Sequence, residues 1–403
     1  MEHQPAYFIS LLAAFIHQRR SPEQRQIEWE QVYQLGNIHF VGGMIYLMAK
    51  TQEQGKRPPA ALLQMMKQDF TSTIVRALHQ ESEMLRVIDE LSRLQIPHLI
   101  FKGYAIKNCY PVKEMRTMGD IDILIKPEDR EKSHELLQSM GFKPGIVTGE
   151  VWSYSKGTVH LEIHTQLLVN NINNKFDYMN YFSDVWDKAV MQPNRYTYEF
   201  SVNDHLLYML VHMAKHFYGY GCGIRMVMDA AMYMIYFEKE LDWGYLEREL
   251  KKLNLVLFAH NIFALCRRWF EVSPPIKLPK MKEGFYELIG EYILSGGTFG
   301  ANQREPHVVM LRQVYTNNKE VKKAPLTIGV YLEICFPGYE KMAEIPYCSF
   351  LKTMPFLLPA AWILRILRNM LLNSRNTFRF VCGIVQGKKD FKQQYELLLR
   401  LGL

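Results

Sequence analysis

Apolar and polar positions along this chain follow two different periods, and the period changes twice. Over residues 1 to about 95 the apolar positions recur at three-and-four spacing. In TSTIVRALHQESEMLRVIDELSRLQ they are Ile74, Leu78, Met84, Leu85, Ile88 and Leu91. That spacing predicts an amphipathic helix, with Thr71 or Ser72 as its cap. After Pro97 the texture changes. HLIFKG is a short apolar run stopped by a glycine and reads as a strand. A short helix follows near Tyr104–Cys109. GDIDILIKP then sets Asp120, Asp122 and Leu124 against Ile121, Ile123 and Ile125, a period of two that predicts a strand with one polar edge. Pro127 opens EDREKSHELLQSMGF, an amphipathic helix ended by Gly141. VWSYSK and TVHLEIHTQL read as two further strands, with Gly157 turning the chain between them.

From about residue 175 the helical period returns. Ser201 or Asn203 can cap DHLLYMLVHMAKHFY, and helices are expected over 224–239, 242–253 and 255–270. The Met and aromatic run MVMDAAMYMIYF reads as core packing. Residues 296–302 read as a loop, 303–345 carry no clear period, and 350–400 read as helical and basic with a break at NSRN. No internal repeat or low-complexity tract is visible. The expected organisation is an N-terminal helical region (1–95), an α/β core (96–172), a helical domain packing on that core (173–300) and a C-terminal basic helical region (301–403). The fold class is therefore α+β, a small mixed sheet flanked by N-terminal and C-terminal helical regions.

Composition changes this picture little. With 403 residues, 48% hydrophobic and 22% charged, the chain is globular and long enough to bury a core without disulfides. The six cysteines, Cys109, Cys222, Cys266, Cys335, Cys348 and Cys382, form no C-x-x-C pair, which removes the usual zinc-knuckle and redox motifs and suits a reducing compartment. The opening MEHQPAYFIS lacks the features of an export signal, so a cytoplasmic location is expected. FLLPAAWILRILRNMLL is interrupted by Pro359, Arg365 and Arg368. It is too short and too charged for a transmembrane span, and reads as a buried or surface-lying amphipathic helix. The net charge of +7 suits a polyanionic partner, with peripheral membrane contact by the basic C-terminal helices as one form of it.

The chemistry concentrates in two strands. Side chains two apart on a strand share a face, so Asp120 and Asp122 project together while Ile121 and Ile123 anchor the other side. Paired carboxylates repel unless a cation lies between them, and Mg²⁺ or Mn²⁺ prefers such hard oxygen ligands. Glu162, in the strand HLEIH, would complete a three-carboxylate site if its strand lies beside the first. That set suits two-metal in-line displacement at phosphorus. On the same strand His160 and His164 share the face of Glu162, where His164 can orient the carboxylate, contact the nucleotide or acceptor, or relay a proton.

In order, these motifs are Lys102-Gly103, a short helix, R-x-x-G-D-I-D-I-L-I beginning at Arg116, and L-E-I-H. The arrangement resembles the nucleotidyltransferase fold of the DNA polymerase beta superfamily, and in particular the bacterial uncharacterised nucleotidyltransferase group. The resemblance covers about residues 30–375 and is strongest over 98–166. It implies that Asp120, Asp122 and Glu162 hold the catalytic metals, that a nucleoside triphosphate is the co-substrate, and that Gly103 stands at the superfamily's first glycine. Tyr104 departs from the small residue expected next, which bears on triphosphate binding. Lys102 and Arg116 are candidates for steadying phosphates, although Arg116 can equally brace Asp120 or Asp122. His212 and His216 stand four apart on one helix face. H-M-A-K-H lacks the glutamate of the zinc-protease motif. The resemblance suggests that these two line the cleft with Lys215, Arg225 and Asp229. The expected activity is transfer of a nucleoside monophosphate to an unidentified acceptor: a sugar, small molecule, protein or tRNA. Two alternatives remain, a catalytically lapsed binding module and a toxin-like nucleotidyltransferase acting on tRNA.

Overall fold

The helical N-terminal pattern folds as four helices: α1 (His3–Ile16), α2 (Trp29–Ile38), α3 (Gly42–Ala49) and α4 (Ala60–Arg93). The computed structural model describes residues 3–297, apart from 25, 169–171, 173–175, 195, 220 and 281, together with 336–372 and 396–403. The expected start of a helix at Thr71 or Ser72 is corrected. Pro59 precedes the first turn of α4, and the helix runs 34 residues without interruption. Thr71 lies inside it and donates its hydroxyl to the Lys67 carbonyl (2.9 Å), a bond a mid-helix threonine can make. Of the expected apolar stripe, Met84 and Leu91 are buried while Leu78 and Leu85 are exposed. The reason is that α4 has two partners. Its contacts run to α3 and, elsewhere along its length, to the helix Arg130–Ser139 and the strand Val159–His164, so no single straight stripe describes it.

The chain then builds β1 (His98–Phe101), α5 (Gly103–Ile106), β2 (Ile121–Ile125), α6 (Arg130–Ser139), β3 (Lys143–Pro144), β4 (Val151–Lys156) and β5 (Val159–His164). Two short helices, α7 (Tyr178–Tyr181) and α8 (Val185–Lys188), lead to β6 (Val190–Met191) and β7 (Thr197–Glu199). The seven described strands form one mixed sheet in the order β3-β4-β5-β2-β1-β7-β6. One face buries Ile100, Ile121, Ile123, Ile125, Leu161 and Ile163 against Met84, Val87 and Leu91 of α4 and Leu136 and Leu137 of α6. Sequence reading placed only helices after residue 175. In fact β7 returns to pair parallel with β1. Strands of two and three residues are too short to display a period.

The helical stretches that follow are α9 (Val202–Gly219), α10 (Ile224–Tyr236), α11 (Trp243–Lys252), α12 (Val256–Phe270) and α13 (Glu283–Gly296). Ser201 caps α9, its hydroxyl accepting from the Asp204 amide (3.1 Å). The described residues fall into two compact units, 1–217 with 221–302 and 218–220 with 303–403. The second holds α14 (Tyr339–Ala343), a 3₁₀ segment Pro346–Lys352 and α15 (Leu358–Leu372), around Met342, Cys348, Leu351 and Ala361. Cys109, Cys222, Cys266 and Cys348 are buried free thiols. Cys335, Cys382, the NSRN break and most of 303–345 lie outside the described residues. Among the described residues no helix is long and apolar enough to cross a membrane.

Candidate active site

Burying isoleucines on one face of the sheet turns the alternate side chains of the same strands to the other. β2 and β5 pair in parallel, with Asp122 opposite Glu162 and Leu124 opposite His164. On the far side of β2, Phe101 of β1 stands opposite Asp122. Asp122, Glu162 and His164 therefore meet on one face. Asp120 is the residue just before β2 and is exposed.

The Asp122 carboxylate is almost wholly buried. Its Oδ1 accepts from the Lys102 ammonium at 2.5 Å and from His164 Nε2 at 2.8 Å. The same His164 nitrogen lies 3.3 Å from Glu162. With Nε2 turned to the carboxylates, His164 Nδ1 is a buried nitrogen with no hydrogen-bond partner. Burial alone would raise the Asp122 carboxyl, but the Lys102 charge and the His164 hydrogen bond outweigh it and hold it below the usual carboxylate range. Burial likewise works against the Lys102 ammonium, yet Asp122 keeps its pKa above the ordinary lysine value. Lys102 is also locked from the backbone side. Its φ of 56° and ψ of −134° belong to a region that glycine occupies readily and lysine rarely. The ammonium is thus aimed by the main chain as well as by its partner.

Behind this cluster stands a wall that sequence reading missed. The Phe101 ring meets His164 and Tyr208 edge-on, at 5.1 and 5.5 Å between centroids. Tyr208 is buried, and its hydroxyl has no hydrogen-bond partner. Burial first, and then the Asp122 and Glu162 charges, push its pKa upward against Lys102, so the phenol is neutral. Only its position one helical turn before His212 could have flagged it. His212 stacks on Tyr208 at 5.9 Å, and its Nε2 lies 3.2 Å from that of His216. Lys215, half-buried on the same helix, makes no ion pair or hydrogen bond to the described residues.

Burial also pulls His39, His205 and His216 down to about 4. A histidine neutral in the fold but titrating near 6.5 in the unfolded chain draws protons toward unfolding as the pH drops. Its contribution is complete above about 6.5 and is lost on going down toward pH 4. For the two most buried, His39 and His205, the loss by pH 5 is about 2 kcal/mol each. The urea midpoint is therefore expected to fall clearly between pH 7 and pH 5. An equal midpoint at both pH values would contradict it.

A second cluster joins the turn before β2 to α10 and contains four of the expected residues. Arg116 donates twice to Asp229, from Nε to Oδ1 (3.0 Å) and from Nη2 to Oδ2 (2.6 Å). The Tyr110 hydroxyl donates to the same Oδ1 (2.7 Å). The arginine expected to steady phosphates, or to brace Asp120 or Asp122, is committed to Asp229. Arg225 donates to the Thr117 carbonyl and hydroxyl at 2.9 and 2.8 Å. Burial, and next the Arg116 charge, lower its pKa to about 10. Gly103 belongs here as well. A Cβ on it would stand 2.5 Å from Arg116 Nη1 and 3.1 Å from Met118 Cγ, so the guanidinium requires a glycine at this point.

Among the described residues, donor atoms of Asp122, Glu162 and His164 all lie within 4.8 Å of one another. Asp120 is outside that set but feels it. Partial desolvation, then the Asp122 and Glu162 charges, raise its carboxyl above the ordinary value. A divalent cation relieves such repulsion. The carboxylate oxygens suit Mg²⁺ or Mn²⁺, and the imidazole suits Mn²⁺ better than Mg²⁺. The residues present fit a divalent cation.

A family model described as uncharacterised nucleotidyltransferase matches residues 25–271, which takes in the whole of the acidic cluster, α9 and α10. No curated protein and no solved structure gives a significant match.

Proposed function

This chain belongs to the uncharacterised nucleotidyltransferase family, and from that premise we propose that it moves a nucleoside monophosphate from a nucleoside triphosphate to an acceptor at the face shared by Asp122, Glu162 and His164. Membership makes it an enzyme of nucleotidyl transfer. The main support for the proposal is the register of β2 with β5, which sets Asp122 beside Glu162.

In this reading Asp120, Asp122 and Glu162 hold the divalent cations, with His164 able to supply a nitrogen ligand. The cations, when bound, neutralise the triphosphate and acidify the attacking acceptor hydroxyl. The chain's own residues do the rest. Lys102 and His164 keep Asp122 ionised and fixed in direction. Glu162 has about a third of its side chain exposed, so unlike the buried Asp122 it can take the proton of an incoming hydroxyl. Phe101 and Tyr208 close the site from behind, which lowers the local dielectric and strengthens each charge interaction within it. The Arg116–Asp229 pair braces the turn before β2 without touching substrate.

The test is a screen of α-phosphate-labelled nucleoside triphosphates against cell extract, with Mg²⁺, with Mn²⁺ and with EDTA. Label should pass to a discrete product with one nucleotide, and EDTA should stop it. If no nucleotide gives cation-dependent labelling or binding, the chain is a lapsed enzyme and the acidic face is a relic. A labelled product of tRNA size would favour the toxin-like reading over a metabolic one.

A further inference from the structure

Helix α9, which sets Tyr208 against Phe101 beside the acidic cluster, carries an ammonium and two imidazoles close together. We propose that Lys215, His212 and His216 of α9 form a polyphosphate-binding subsite that grips the phosphate chain of the nucleotide. The inference rests on the nucleotidyl-transfer reading above and adds where the anion is held.

The first observation is an uncompensated cation. Lys215 is half-buried, and no carboxylate pairs with it among the described residues. Taking an ammonium partly out of water without a partner is costly, so such a group points to a ligand that completes it. The second is a pair of imidazoles turned on each other, with Nε2 atoms 3.2 Å apart and ring centroids at 4.5 Å. Only one N–H can lie between those atoms, and an acceptor-only ligand can draw both rings into donating. The third is position. His212 stacks on Tyr208, Tyr208 meets Phe101, and Phe101 meets His164, so this surface is joined to the acidic cluster through two rings. The Lys215 ammonium and its two imidazole neighbours thus stand beside the acidic cluster, as a phosphate chain next to a cation site requires.

Burial, and then Lys102, lower the Lys215 ammonium, while Glu162 alone acts the other way. An added anion reverses that balance. The turn after β1 is a poor alternative holder. α5 spans only four residues, too few for much helix dipole, and the Tyr104 ring lies under the Lys107 ammonium at 3.7 Å. A polyphosphate matches this surface better than a single carboxylate. It offers several acceptor oxygens along one turn of helix, about 6 Å from residue 212 to residue 216.

Calorimetric titration of the full-length protein with inorganic triphosphate, in EDTA and in Mn²⁺, decides the matter, with Mn²⁺ affinity measured separately by electron paramagnetic resonance. Lys215→Gln should weaken triphosphate by about tenfold or more. Lys215→Arg should restore most of the affinity, and Mn²⁺ should bind all three proteins equally. Triphosphate affinity unchanged in Lys215→Gln, or no binding by the wild type, overturns the proposal. If Lys215→Gln does not fold, His216→Gln decides by the same tenfold criterion. Failure of the wild type to bind Mn²⁺ strikes the nucleotidyl-transfer reading instead, whatever triphosphate does.

Discussion

Asp122→Asn is expected to reduce nucleotidyl transfer by about a thousandfold or more, with little change in the shape of the site. Asparagine preserves volume and can still accept from Lys102 and His164, but it removes the charge at the centre of the acidic face. Three things then fail together. A cation held at this face would lose its most buried oxygen ligand. Lys102 loses the carboxylate that sets its direction. The field that keeps His164 oriented disappears. Glu162→Gln should cost less in cation affinity, because Glu162 is the more exposed of the two, but should lower the rate through proton acceptance. Mn²⁺ affinity and single-turnover label transfer, measured on both variants, separate these effects. If Asp122→Asn retained activity within tenfold of wild type, the catalytic role of this face would be untenable.

The second large effect concerns stability. Asp229→Ala leaves the Arg116 guanidinium and the Tyr110 hydroxyl without their shared carboxylate and removes a favourable negative charge from Arg225. Removing one partner of a buried ion pair costs about 3–5 kcal/mol. That corresponds to a fall in melting temperature of roughly 10 °C for a unit of this size. Arg116→Ala should cost less, because Asp229 still has the Tyr110 hydroxyl and the Arg225 charge nearby. The double variant should fall short of the sum, since each single change already breaks the same pair. Thermal melts of the three proteins give the ordering directly. Additive losses would mean that Arg116 and Asp229 act independently, against the bidentate geometry.

Much of the site could be read from residues 98–164 because its physics is local. Asp122 and Glu162 alternate with isoleucines and leucines whose burial forces the acids outward, and that alternation is written in the chain. What local pattern cannot carry is partnership. Nothing within RTMGD shows that Arg116 answers to Asp229, which is 113 residues away. Gly103 is similar: the resemblance marks it as the superfamily's first glycine, and only the structure shows that a side chain there would meet Arg116. Tyr208 was hidden for the opposite reason, since a tyrosine among leucines in a buried helix looks like core until its hydroxyl is found facing charge. In the fold, the helix α4 defeated a one-stripe reading because it has two neighbours, and β6 and β7 were too brief to show any period.

The long helix α4 has a consequence for how the chain comes into being. Its Met84, Val87 and Leu91 lie in the same core as Val159, Leu161 and Ile163 of β5, roughly 70 residues later in synthesis. At the usual pace of translation that is an interval of about 4–14 seconds. In that time β1, β2 and α6 become available but β5 does not, so the apolar face at the end of α4 stays incompletely covered until the last strand of its core arrives.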